Sequence, residues 1–510
     1  MRGRLWALCA CIAMPGPAPA QEAGPAPGEG EGQVVLTGPS GFEATGRFIS
    51  YDGRYFRIES PGGELTLDGD VVTCAGEACP PEEDWVPLLR LSGERAIGAV
   101  LVPALIEAFA ARRGLVAQRE DEGPDRLAYT LTLSGEEVAR FELHLTGSTE
   151  GIAALLGKRT DLAMTAREVT ARERGLGLTA DLGDLTAPEN ARIVALDALV
   201  PVVGRGNAVR ALTFDEVEEA LSGGIGDWFD LGGDPGPVAR RMPSEDDALG
   251  QRADALFEAR GALRLGGGAE VASAVAADPL AFGITALSAL RGTGATVPAT
   301  AGGCGIALPV TPETVRRGDH PYAFPLQLVG AARRPSDLAR AFLDFVLSDA
   351  AQPVVRRAGF VDRAARAVPM SEMGLRLASA ALSAEDERSL AALQRMLRIL
   401  AGAERLSPTF RGAPEGSARA REEVHRLVRA IEAGEHDGRE LIFAGFSPGG
   451  AQGAARSAEA VLRAVRARLS DAAGRRLRMR AVGAEDVMPI ICEDDPGAAA
   501  LSRRVELWRR

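Results

Sequence analysis

The chain has 510 residues, 46% of them apolar and 25% charged, and a formal charge of -12. That length is more than one compact core holds and points to about two to four domains. The acidic balance argues against a nucleic-acid-binding protein, whose domains present a basic face. The charge is uneven: residues 404–510 carry 19 Arg against 16 Asp and Glu, so the acidic surplus lies upstream of them. Lys158 is the only lysine, which leaves one candidate for any Schiff-base chemistry.

Residues 1–20 read as an export signal peptide. Arg2 and Arg4 precede the apolar run Leu5–Met14, which is too short to span a bilayer. Pro15 and Pro17 break the run, and Ala18-Pro19-Ala20 fits a small-x-small cleavage site. A lipoprotein reading through Cys9 and Cys11 leaves almost no apolar core upstream of them. No later stretch is apolar for long enough to span, so the expected mature chain is soluble and periplasmic. Residues 21–32 are a Pro/Gly/Glu linker expected to be disordered.

Residues 33–87 show short period-two segments: Val34–Thr37, Ala44–Ser50, Tyr55–Ser60, Glu64–Leu67 and Val71–Cys74. Asp52-Gly53 and Pro61-Gly62-Gly63 punctuate them. This predicts a small all-β module. Cys74 and Cys79, five apart in a Gly/Pro-rich turn, read as a disulfide staple, because a metal site would need further ligands nearby. Cys304 and Cys492 have no partner that the sequence identifies.

From 88 to 362 the pattern alternates strand and helix, which predicts an α/β unit. Strands are expected at Leu89–Leu91, Ala139–Leu145, Asp161–Thr165, Ala191–Val203 and Ala281–Ile284. Helices are expected at Ala96–Arg112, from Thr149, at Phe214–Ser222, Ala248–Arg260, Ser336–Ser348 and Pro353–Ala358. Residues 363–403 read as a helical connector. Residues 404–510 follow the order helix, strand, helix, strand, strand, which predicts a small α+β sandwich.

Five phrases in order make residues 88–362 resemble the phosphate-type substrate-binding proteins of ABC transporters. They are Thr146–Ile152 after a strand, Thr160–Arg167, Leu212–Gly233 with its Ser222-Gly223-Gly224 and Asp227-Trp228, Asp278–Ile284, and Pro335–Gly359. The resemblance implies a two-lobed periplasmic-binding-protein fold. One lobe would be 88–195 plus 286–362, the other 196–285, with a ligand cleft between. It also implies phosphate or a related solute as ligand, membrane subunits of an ABC transporter as partners, and no cofactor. Helix N-termini present unpaired N–H groups, to which hydroxyls add donors. On that logic Ser92, Ser148, Thr149 and Thr165 are lobe-one donors, each equally explicable as a plain cap. Arg241 is the lobe-two arginine, with Arg240 and Arg167 in reserve, because guanidinium grips an oxyanion in bidentate fashion.

The loop Arg240–Ala248 departs from that family. Glu245, Asp246 and Asp247 stand where two hydroxyls and a glycine are expected, and Ala166 replaces an aspartate. Carboxylates complement a helix N-terminus but repel an anion. Either Ser244 supplies the hydroxyl and the acids turn away, or the site no longer takes phosphate.

Residues 404–510 resemble OmpA-like peptidoglycan-anchoring domains through Leu406–Phe410, Leu441–Ser447, Ser457–Val461, Ala481–Glu485 with Met488-Pro489, and Leu501–Leu507. The resemblance implies association with the cell envelope and peptidoglycan as partner. Pro448 and Ser457 occupy the two principal ligand positions, which leaves Gly445, Arg503 and Arg504 and implies weakened or lost affinity. Erosion at both pockets favours, as an alternative, an envelope scaffold or sensor. An enzyme is disfavoured: His144, His320, His425 and His436 lie in no catalytic phrase, and there is no HExxH motif or P-loop.

Overall fold

The structure is a computed structural model. It describes residues 32–51, 53–80, 86–301, 306–332, 335–384, 386–414, 416, 418–447, 450–485, 487–490 and 502–510. The expected signal peptide, nearly all of the linker, Cys304, Cys492 and Pro448 lie outside these. Two compact units separate at Trp85/Val86.

The first unit is a five-stranded antiparallel sheet. Strands Gln33–Thr37, Glu43–Tyr51, Tyr55–Ser60 and Gly63–Asp68 form a meander, and Thr73–Ala75 pairs on the far side of the first. Alternation creates its core. In the first strand Val34 and Leu36 point inward while Gln33 and Thr37 face water, and Phe56 and Ile58 pack against the inward pair. The Cys74–Cys79 disulfide, Cα atoms 5.8 Å apart, ties the last strand to the turn after it.

In the second unit ten strands form one hydrogen-bonded sheet. Its order is Leu263–Leu265, Ala239–Pro243, Ala281–Ala286, Ala191–Val203, Ala323–Gly330, Leu162–Thr165, Leu88–Glu94, Glu136–Thr146, Arg126–Leu133 and Val116–Gly123. Ala191–Val203 joins its two halves. Residues 191–198 pair with the 323–330 strand and residues 199–203 with the 281–286 strand. A continuous apolar run suits a strand covered on both faces. Its one acid, Asp197, is buried and accepts from the Ala198 N–H (2.8 Å), the Ser288 N–H (3.1 Å) and the Ser288 hydroxyl. Trp228, in the most specific phrase of the sequence, is a packing pin. Its Nε1–H donates to the Leu280 carbonyl at 2.9 Å, and its ring meets Phe282 edge to face.

Several elements differ from expectation. The expected helix at 96–112 is α-helical over Val102–Arg112 and begins as a π-turn, Ile97–Leu101. The helix expected at Ala248–Arg260 ends at Asp254. The hairpin Val116–Gly123/Arg126–Leu133 is an addition to the expected elements. Val116–Gly123 is an edge strand with hardly a buried residue, so it has no apolar face to alternate. The next hairpin turns on Ser134-Gly135, both at positive φ (54° and 95°), as a two-residue turn requires.

Residues 404–510 contribute to a five-stranded sheet ordered Ala367–Pro369, Glu404–Phe410, Arg504–Arg509, Glu440–Phe446 and Arg478–Gly483. Helices Ala418–Glu432 and Gly450–Arg466 cover one face. The segment expected as a helical connector begins instead with the strand Ala367–Pro369. Its helices Gly374–Leu382 and Glu387–Leu400 cover the other face, where Leu393, Met396 and Leu400 pack on Ile442 and Trp508. Their apolar stripes need that surface to leave water. Among the described residues no helix is long and apolar enough to cross a membrane.

Candidate functional site

The last residues of the strand Leu88–Glu94 fix the site through a backbone distortion at Gly93, which stays paired with Leu145 and Met164. Gly93 has φ 137°, and a Cβ there would lie 2.1 Å from the Met164 carbonyl, so no side chain fits. The strand end delivers Glu94 to the lining of a cavity of about 720 Å³. Glu94 is 6% exposed, and burial pushes its carboxyl above the ordinary range against a hydrogen bond from the Ser148 hydroxyl (3.0 Å).

Ser148 opens the helix Ser148–Leu156 behind Gly147. Its oxygen also accepts the Ala166 N–H at 3.0 Å, so this hydroxyl links three chain segments. Thr149 follows on the rim and accepts from Arg167 Nη2 at 3.1 Å. Arg167 is held from behind by Glu173, whose two oxygens lie 2.8 and 2.6 Å from its nitrogens. Glu173 also closes the capping box of the next helix with Thr170. Thr165 is fully buried; its hydroxyl donates to the Arg167 carbonyl and accepts the Arg167 N–H, so it shapes the loop that presents Arg167.

The opposite wall is the loop Ser244–Asp247 and the helix Ala248–Asp254. Asp247 caps that helix by accepting the Leu249 N–H at 2.9 Å, and burial pushes its carboxyl up. Ser244 accepts the Asp246 N–H at 3.2 Å. Arg252 reaches across to donate to the Ala166 carbonyl, and its guanidinium lies 4.3 Å from the centre of the Phe324 ring. Burial lowers its pKa to about 10, which leaves it charged at neutral pH.

Of the residues singled out from sequence, Ser148, Thr149, Arg167 and Ser244 therefore line one cavity. Ser92 is buried in its strand and does not line it. Arg241 does not line it either. It lies in the strand Ala239–Pro243, where its guanidinium pairs with Asp278 at 3.2 Å, while Arg240 Nε donates to the Ala220 carbonyl at 2.7 Å. The arginine that serves this wall is Arg252, one helical turn past the Asp247 cap. Neither it nor Glu94 is marked out by the sequence. Their only signals are an acid directly after Ser92-Gly93 and an arginine inside a capped helix.

In the C-terminal sheet Gly445 serves packing: a Cβ there would lie 2.0 Å from the Ala454 carbonyl of the covering helix. Arg504 is 1% exposed; it donates to Glu506 (2.7 Å), Ser502 O (2.9 Å) and Met488 O (2.7 Å), and stacks on Phe446. All three of its guanidinium nitrogens are thus committed within the protein. Arg503 is exposed. Ser457 turns its hydroxyl back to Gly453 O. Of the histidines, His320 is buried against the Leu199 carbonyl at 2.7 Å, and burial lowers its pKa to about 4.

Residues 127–350 match the family described as a PBP superfamily domain, so this part of the chain is PBP-like. No curated protein matches the chain. Among solved structures, it is similar to a Clostridium perfringens protein assigned as a phosphate ABC transporter substrate-binding protein, with phosphate bound. Identity is 18%, over 54% of this chain and 99% of that one, with a TM-score of 0.41. An ABC-type phosphate transport receptor from Vibrio cholerae is 16% identical over 54% and 99%, at 0.40. The reduced regulatory domain of OxyR2 from Vibrio vulnificus is 11% identical over 55% and 99%, at 0.31.

Proposed function

We propose that this chain is an exported, periplasmic solute-binding protein that holds an oxyanion-bearing solute between two lobes and hands it to the membrane subunits of an ABC transporter. The observation that carries this reading is the convergence of Thr149, Arg167, Ser244 and Arg252 on one cavity from two walls. Hydroxyls and guanidinium N–H groups are oxyanion donors, and two walls supplied by separate stretches of chain can close on a ligand without covalent chemistry. In this reading lobe one is 88–195 plus 286–362, and lobe two is 196–285. The 404–510 region is an OmpA-like unit that keeps the protein at the cell envelope with weakened affinity for peptidoglycan.

Calorimetric titration of the full mature chain with inorganic and organic phosphates tests it. Saturable binding is expected, and Arg252→Ala should weaken it by about 10- to 100-fold, the loss of one hydrogen bond to a charged group. Absence of binding at millimolar concentrations of every oxyanion tried refutes it. That result would favour an envelope scaffold or sensor with an idle cleft, a reading supported by the engagement of Arg167 with Glu173.

A further inference from the structure

We propose that the solute carries a cationic amine beside its oxyanion, and that the carboxylates of the cavity select it. This rests on the reading that the cavity binds a solute at all. Four carboxylates line the cavity, those of Glu94, Glu150, Asp246 and Asp247, against the guanidiniums of Arg95, Arg167 and Arg252. Two of the three cations are already neutralised by acids outside the cavity: Arg167 by Glu173 on both its oxygens, and Arg95 by Asp125. The third, Arg252, is held by the Ala166 carbonyl and the Phe324 ring and keeps its charge, which offsets part of that of Glu94. None of the four lining carboxylates is in an ion pair among the described residues.

Negative charge is thus in excess at the cavity: four carboxylates face it, and Arg252 is the one lining cation that no acid outside the cavity pairs among the described residues. Glu94 and Asp247 come from opposite walls and repel each other, which adds to the upward push that burial gives the Glu94 carboxyl. A bare phosphate dianion would enter against this field. An ammonium group would relieve it, while the oxyanion of the same molecule met Thr149, Arg167 and Ser244. The volume agrees, because about 720 Å³ falls in the range of about 300–1,000 Å³ that encloses organic ligands and exceeds what a single inorganic ion fills. The chemical class is therefore a small zwitterion, a primary amine a few bonds from a phosphate or phosphonate.

The test is titration calorimetry of the full mature chain with three probes at one pH: 2-aminoethyl phosphate, ethyl phosphate and inorganic phosphate. The expected result is binding of 2-aminoethyl phosphate at least about tenfold tighter than ethyl phosphate. Asp247→Asn keeps a good helix cap, and Asp246→Asn changes an exposed loop position. Each should cut that preference, and the pair should bring it to within about twofold. Circular dichroism of the variants separates a lost preference from a lost fold. Equal or tighter binding of ethyl phosphate or inorganic phosphate overturns the amine selectivity and leaves the solute-binding reading standing. Binding of none of the three overturns both.

Discussion

Glu506 is the point at which the C-terminal sheet is most sensitive. Its carboxylate is fully buried and meets Arg504 Nε at 2.7 Å, Arg405 Nε at 3.3 Å and the Arg376 guanidinium. Asp319, from the chain that precedes the strand Ala323–Gly330, pairs with Arg405 at 2.7 Å and Arg376 at 3.1 Å. With Arg317, 3.6 Å from Asp319, four cations thus face two buried anions. Burial pushes both carboxyls up, but the arginines outweigh it and hold them below the ordinary range. Replacing Glu506 with Ala leaves Arg405 and Arg376 sharing Asp319 and takes from Arg504 its carboxylate. Breaking a buried pair costs about 3–5 kcal/mol, a large part of a total stability of about 5–15 kcal/mol. Urea unfolding followed by tryptophan fluorescence should report it, since Trp508 is buried in the same strand. The midpoint should fall by roughly 1 M or more. The Arg405 Nε to Glu506 contact is an ion pair without an aligned hydrogen bond, so the cluster is imperfectly satisfied. Joint replacement of Glu506 and Arg405 by Leu and Met should therefore recover most of the loss. A Glu506→Ala protein within about 1 kcal/mol of the parent would refute the reasoning.

Other predictions concern single groups. Burial raises the Asp197 pKa from 3.8 to about 6, against its hydrogen-bond donors. The folded state therefore binds this proton more tightly than the unfolded one, and the contribution of Asp197 to stability should be full below about pH 4 and be lost as pH rises through 6, by about 3 kcal/mol in all. Asp197→Asn can keep both backbone donors on Oδ1 and should flatten that dependence in urea titrations at about pH 4 and pH 7; an unchanged slope contradicts it. Glu506 and Asp319 have the opposite sign. Their depressed folded pKa values give stability that is present above the unfolded values of 4.5 and 3.8 and lost on acidification below them. Replacing both Cys74 and Cys79 with Ala should cost the β module about 2 kcal/mol, the loop-closure value for so short a ring, read from its thermal transition. Gly445→Ala should lower stability by about 2 kcal/mol or more, since strand and helix must separate to admit the methyl group; a folded variant with an unchanged midpoint would show that the helix shifts freely.

The β module is legible almost residue by residue, because its strands alternate and its turns carry Gly, Asp and Pro. The strand at 191–203 is legible for another reason: uncharged but for Arg192 and Asp197 and rich in Val, its thirteen residues suit a strand covered on both faces. In 404–510 the local pattern gives the helix, strand, helix, strand, strand order but not the strand Glu404–Phe410 that precedes it or the short helix Asp471–Arg475. The cavity is half legible. Ser148, Thr149 and Arg167 follow strands directly, so their phrases place them at strand ends on one edge. Arg241 is the better arginine by sequence because it stands in a basic pair beside the departed loop. In the fold that pair belongs to a strand, and Asp278, thirty-seven residues on, takes up its charge.

Sequence alone determined most of the strands and helices, though not the hairpin at 116–133 or the strand Ala367–Pro369, as well as where charge accumulates and that acids occupy the loop after Pro243. Tertiary structure decided which of those charges remain uncompensated. Arg167 and Arg504 are equally available by sequence, yet one lines a cavity and the other is buried at the start of a strand among Glu506, Phe446 and backbone carbonyls. The physical reason is range. Helix and strand preferences depend on neighbours a few residues away, whereas the state of a guanidinium or carboxylate depends on partners tens of residues distant and on whether water reaches it.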